Sequence, residues 1–89
     1  MKGWRVVDKG VNGKPFLWKR EGNGAYVMID IFNPDLKRCY SVLVLQANPL
    51  ETDDLKGKVL GRGCARGPRD WNGAYERARK IAARYMKNN

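Results

Sequence analysis

Histidine is absent from this chain of 89 residues, and cysteine occurs only twice, as Cys39 and Cys64. Without histidine the commonest general base at neutral pH is missing. A zinc site would also want ligands the chain does not have, because the two cysteines show no metal-ligand spacing. Nor do two cysteines make a disulfide framework, so both are expected as reduced, partly buried thiols. No stretch approaches the ~20 apolar residues that span a bilayer. The opening MKGWRVVDKG carries charges where a secretory signal has its apolar run. These absences predict a protein without cofactor, metal or membrane association, cytoplasmic or nucleoid-associated.

Acidic residues are the other scarcity. Nine Asp and Glu stand against 18 Lys and Arg, a net charge of +9. With 43% hydrophobic and 30% charged residues the chain has the composition of a folded domain. At this length it buries only about two-thirds of its unfolded surface. A polyanion is the simplest partner for such a surplus, since each neutralised phosphate releases condensed counterions. The surplus is also uneven. Residues 1–49 carry a net +4, residues 50–55 carry −3 through Glu51, Asp53 and Asp54, and residues 56–89 carry +8.

Hydrophobic periodicity and turn chemistry predict the elements. Residues 4–7 form a short strand candidate, followed by a turn punctuated by Gly10, Asn12 and Gly13. PFLWKR at 15–20 reads as a strand with proline at its first position, where strands tolerate it. Glu21-Gly22-Asn23-Gly24 is a hairpin signal, because Asn and Gly accept positive φ. AYVMIDIF at 25–32 is rich in β-branched and aromatic residues. A second turn at 33–37 leads into RCYSVLVLQ at 38–46. Strands joined by such short turns must run antiparallel. Residues 47–69 break the pattern: Asn48-Pro49 stops the strand, 58–60 could add a short edge strand, and glycine and proline dominate 61–69. Asp70 then caps a helix over 70–87, whose apolar stripe runs Trp71, Ala74, Tyr75, Ala78, Ile81, Ala82, Tyr85. Gly73 weakens its first turn by about 1 kcal/mol relative to Ala. The expected fold is α+β, a single domain over 1–89: an antiparallel three- to four-stranded β-meander (1–46), a basic Gly/Arg loop (47–69) and one C-terminal amphipathic α-helix packed on the sheet.

Three features bear on function. In the loop, Lys56, Lys58, Arg62, Arg66 and Arg69 appear beside glycines, which let a backbone approach while guanidinium groups fork two phosphate oxygens. The bland alternative is a solvated basic loop. Its glycine spacing is not that of a nucleoside-triphosphate loop. On the helix, Arg77, Lys80, Arg84 and Lys87 fall at spacings of three, four and three, a basic stripe flanked by Arg79; a plain solvated face would look the same. In the sheet, residues 25–32 show Ala25, Val27, Ile29 and Ile31 on one side. Tyr26, Met28, Asp30 and Phe32 on the other are too apolar for a solvent face. Trp18 and Tyr40 from neighbouring strands, with Lys19, Arg20, Lys37 and Arg38, add aromatics among cations, the mixture that stacks bases while holding the backbone. Against this, a covered face would also be apolar, and a two-sided apolar sheet makes homodimerisation an option.

Catalysis is poorly supplied. The carboxylates sit mainly at turns, and Asp30, Asp53 and Asp54 would make only a speculative metal set. Three antiparallel strands followed by an amphipathic helix resemble, in element order, the DNA-binding domains of plant ethylene-response factors and the N-termini of transposon integrases. Gly61-Arg62-Gly63 leading into an alanine-rich helix (74–83) is similar to the latter half of a double-stranded-RNA-binding domain. The likeness spans roughly residues 15–87 and is one of element order and composition; the diagnostic residue strings are not present. It implies DNA or RNA binding. The reading that emerges is a non-catalytic nucleic-acid-binding protein whose contacts come from Lys58, Arg62, Arg66, Arg69, Arg77, Lys80 and Arg84, with Lys19, Arg20, Trp18, Tyr26 and Tyr40. The alternatives are a small phage- or plasmid-type protein that binds an acidic protein, and a toxin-like metal-free ribonuclease using Arg, Lys and Tyr.

Overall fold

The computed structural model describes residues 3–10, 12–22, 24–33, 37–53, 57–65 and 70–89. Five strands, β1 (Trp4–Lys9), β2 (Pro15–Arg20), β3 (Tyr26–Phe32), β4 (Arg38–Leu45) and β5 (Gly57–Ala65), precede one helix, α1 (Trp71–Asn88). The sheet order is β1-β2-β3-β4-β5, and every neighbouring pair is antiparallel. This is the α+β meander with a C-terminal helix that the pattern predicts. Between β2 and β3 the Arg20 amide donates to the Ala25 carbonyl at 2.8 Å, and Gly22 (φ 99°) and Gly24 (φ 74°) take the left-handed backbone the hairpin needs. No helix of the described residues is long and apolar enough to cross a membrane.

The fifth strand corrects the expectation of three to four strands and of a loop over 47–69. Gly57–Ala65 pairs along the length of β4. Its glycines read as breakers in sequence, yet they mark close approach. A Cβ on Gly61 would lie 2.8 Å from Ile81 Cδ1, and one on Gly63 would lie 2.6 Å from the Tyr40 hydroxyl. Gly61 thus makes room for Ile81 of α1, and Gly63 for the Tyr40 ring from β4. The helix contributes its own small residues to this layer, with Ala74, Ala78 and Ala82 fully buried. Trp4, Trp18, Val27, Ile29, Tyr40, Val42, Val44, Tyr75 and Met86 complete this core.

The register of β5 shifts between Val42, opposite Gly61, and Leu43, opposite Val59. Leu60 is therefore an extra residue, a bulge, which re-aims side chains on its strand. Leu60 packs with the residues under α1, while Val59 stays on the other face opposite Leu43. That other face has a smaller core of its own: Leu17, Tyr26 and Leu45 are buried, with Val7, Met28 and Leu43 against them. Val7 reaches it through a similar irregularity in β1, between the Val6–Trp18 and Asp8–Leu17 pairs.

Cys39 and Cys64 stand directly opposite in the β4–β5 register and are joined as a disulfide, which overturns the expectation of two reduced thiols. The pairing became available only once residues 57–65 formed a strand. The reducing-compartment expectation thereby loses its cysteine argument, because disulfides persist mainly in oxidising compartments.

Two outcomes are expected. Gly63→Val should lower stability by about 1–3 kcal/mol through overpacking against Tyr40, read as a lower urea midpoint. Reduction, or the Cys39→Ser/Cys64→Ser double variant, should remove about 3 kcal/mol for the 25-residue separation that the bridge spans. A melting temperature unchanged by reductant would show that the bridge contributes nothing.

Candidate nucleic-acid interface

The helix that carries the basic stripe is fixed at its start by Asp70. Its Oδ1 accepts from the Gly73 amide at 2.8 Å, satisfying one of the free amides of the first turn. Gly73 belongs to this cap, since a Cβ there would collide with the Asp70 carboxylate. One turn later the Tyr75 hydroxyl donates to the Pro15 carbonyl at 2.5 Å, pinning α1 to β2. Burial raises the Tyr75 pKa above its ordinary value, with the nearby Arg79 cation opposing.

These anchors fix the rotation of α1, and with it the roles of the cations. Arg79 turns inward, its guanidinium 4.9 Å from the Trp18 ring centre. Its Nη1 is buried without a hydrogen-bond partner. Lys14 meets the Asn72 carboxamide at 3.0 Å and Glu76 at 3.8 Å, and its ammonium lies over the stacked rings of Trp71 and Tyr75. Glu76, the acid within α1, is thereby drawn to the β2 side of the helix. The opposite side faces β5, where Arg77 Nη1 donates to the Cys64 carbonyl at 2.9 Å.

Arg77, Lys80, Arg84 and Lys87 are all exposed. Among the described residues no carboxylate lies within ion-pair distance of them. Lys80 and Arg84 border a groove of about 410 Å³ between α1 and β5, floored by Leu60, Ile81 and Tyr85 and ending at Asn88 and Asn89. A second groove of about 550 Å³ continues past Tyr85 to Lys58, Gly57, Val44 and Gln46. The seam between helix and edge strand is thus a trough with an apolar floor, a tyrosine between its two halves and basic residues along its walls. Among the described residues, no Asp or Glu side chain lines either groove.

The other residues singled out in sequence fall elsewhere. Trp18 and Tyr40 are core residues beneath α1, 3% and 8% exposed, so their rings have no face to offer a base. Tyr26 is buried on the opposite face beside Leu17 and Leu45, with the Lys19 ammonium 5.7 Å over its ring. Arg62 stands opposite Ser41 and so lies on that same face, away from the helix cations. Arg20, opposite Trp4, is half-buried near the β1 edge. Arg66 and Arg69, together with Lys56, lie outside the described residues. The pattern of residues gave no site role to Leu60, Gln46, Tyr85, Asn88 or Asn89. Tyr85 reads in sequence as one more core position of the apolar stripe, and Leu60 reaches the groove only through the bulge.

Compared with protein-family models, curated proteins and solved structures, the chain matches none.

The Tyr75 anchor carries its own expected outcome. Because its folded-state pKa is raised, the protonated phenol contributes stability that is fully present at neutral pH. That contribution is lost as pH climbs past the ordinary tyrosine value of about 10. Tyr75→Phe should cost about 1 kcal/mol at pH 7, through the lost bond to Pro15, and should flatten the alkaline fall in urea midpoint. An alkaline fall as steep as that of the unsubstituted protein would show that Tyr75 does not cause it.

Proposed function

We propose that this chain is a non-catalytic nucleic-acid-binding protein that holds phosphates along the β5-facing side of α1. The observation that carries the reading is the alignment of Arg77, Lys80, Arg84 and Lys87 on one exposed side, joined by Lys58 from β5, with no described carboxylate to neutralise them. Clustered exposed cations act collectively and attract a polyanion more strongly than the same charges scattered. Successive members three and four residues apart rise about 4.5–6 Å along the helix, a repeat suited to neighbouring phosphates. The groove lining favours binding over catalysis, since among the described residues it brings no Asp, Glu or Cys side chain to act as base or nucleophile. The contact set differs from the one expected of the sequence: Lys58, Arg77, Lys80 and Arg84 belong to it, whereas Arg62, Lys19, Trp18, Tyr26 and Tyr40 do not.

Filter binding of DNA and RNA over a series of salt concentrations tests the reading. Affinity should fall steeply with salt, and Lys80→Ala/Arg84→Ala should reduce the log–log slope by about 1.5, the share of two phosphate contacts. Arg62→Ala should leave the slope as it is. A slope insensitive to the helix double variant would remove α1 from the contact, and cleavage of the RNA during the assay would overturn the non-catalytic assignment.

A further inference from the structure

We infer that the trough between α1 and β5 is built for a single strand, with an unpaired base lying against Tyr85 and its flanking phosphates held by Lys58, Lys80 and Arg84. This rests on the nucleic-acid reading and narrows it. Cations alone serve a duplex and a single strand equally well, so the floor of the trough decides. Leu60, Ile81 and Tyr85 line it, all partly buried and partly open to solvent. A duplex presents its phosphates outward and keeps its base faces stacked, leaving nothing flat and apolar to cover such a floor. A single strand can turn a base face onto a ring, an interaction that tolerates any base.

Tyr85 is placed for this contact. Its ring and that of Trp4 meet in an edge-to-face contact, with centres 6.2 Å apart and planes at 68°, which restrains its orientation. It borders both grooves, so a base against it has cations on either side: Lys80 and Arg84 in one groove, Lys58 in the other. Asn88 lines one groove and Gln46 the other, and the carboxamide of each can donate to or accept from a base edge. An acidic peptide would find the same cations. It would leave the ring and the apolar floor uncovered unless it also brought apolar side chains.

The test is fluorescence anisotropy with a labelled oligothymidylate, a duplex of equal length and polyglutamate, at one ionic strength, using the whole chain. The single strand should bind more tightly than the duplex. Tyr85→Leu should weaken the single strand about tenfold, the loss of one stacked base, leave the duplex unchanged, and be rescued by Tyr85→Phe. Since Tyr85 also touches Trp4, an experiment on the unaltered protein stands beside the variants. Ultraviolet crosslinking of a 5-bromouracil-substituted strand should label the peptide that contains Tyr85. If single strand and duplex bind alike, lose affinity together in Lys80→Ala/Arg84→Ala and ignore Tyr85→Leu, the single-strand proposal fails while nucleic-acid binding stands. Crosslinks confined to the opposite sheet face, at Phe32 or Tyr26, overturn it likewise. If neither nucleic acid binds at low salt, or polyglutamate binds as tightly as both, the nucleic-acid reading itself falls.

Discussion

The close approach of α1 to the glycine-bearing edge of the sheet governs the rest of this structure. Gly61 on β5 leaves room for the Ile81 side chain of α1, and the fully buried Ala74, Ala78 and Ala82 keep the sheet-facing side of the helix thin. Interiors pack densely and resist overfilling, so this contact sets where the helix lies and how it is turned. The trough, the exposure of Tyr85 and the direction of the basic stripe are all consequences of that placement. The bulge at Leu60 completes the arrangement by delivering an apolar side chain to the seam.

Packing divides the cations into two kinds. Lys14, Lys19 and Arg79 lie over rings of the protein itself, where they cover apolar surface and stiffen local packing. Arg77, Lys80, Arg84 and Lys87 point to solvent beside β5. A net charge of +9 therefore overstates what any partner meets at one place, while among the described residues no carboxylate pairs with the remaining groups and weakens their field. Since the Debye length is about 8 Å at physiological ionic strength, only cations gathered this closely act as one surface.

The disulfide works from the far side of the sheet. Cys39 and Cys64 share the face opposite α1 and tie the end of β5 to β4. The Cys64 carbonyl also accepts from Arg77, so the strand is held by the covalent bridge on one face and the helix on the other. An edge strand with three glycines loses much backbone entropy on ordering. A crosslink that restricts the unfolded chain offsets part of that cost and keeps the wall of the trough in place.

The elements with a strong local signal were legible in residues alone. PFLWKR and RCYSVLVLQ read as strands through β-branched and aromatic content between turn residues, and α1 through an apolar stripe behind an Asp cap. Such signals arise within one element and need no partner. β5 was not legible, because glycine in isolation argues for a loop; its suitability comes from Ile81 and Tyr40, which approach from elsewhere in the chain. The same holds for the cysteine pair, whose register exists only after β5 docks. It holds too for Trp18 and Tyr40, whose alternating positions could not reveal which face α1 would cover. Local chemistry determined which segments become strands and helix and how much positive charge the chain carries. Only tertiary packing decided which of those charges and rings remain open to a partner, because exposure belongs to surfaces that form between elements distant in sequence.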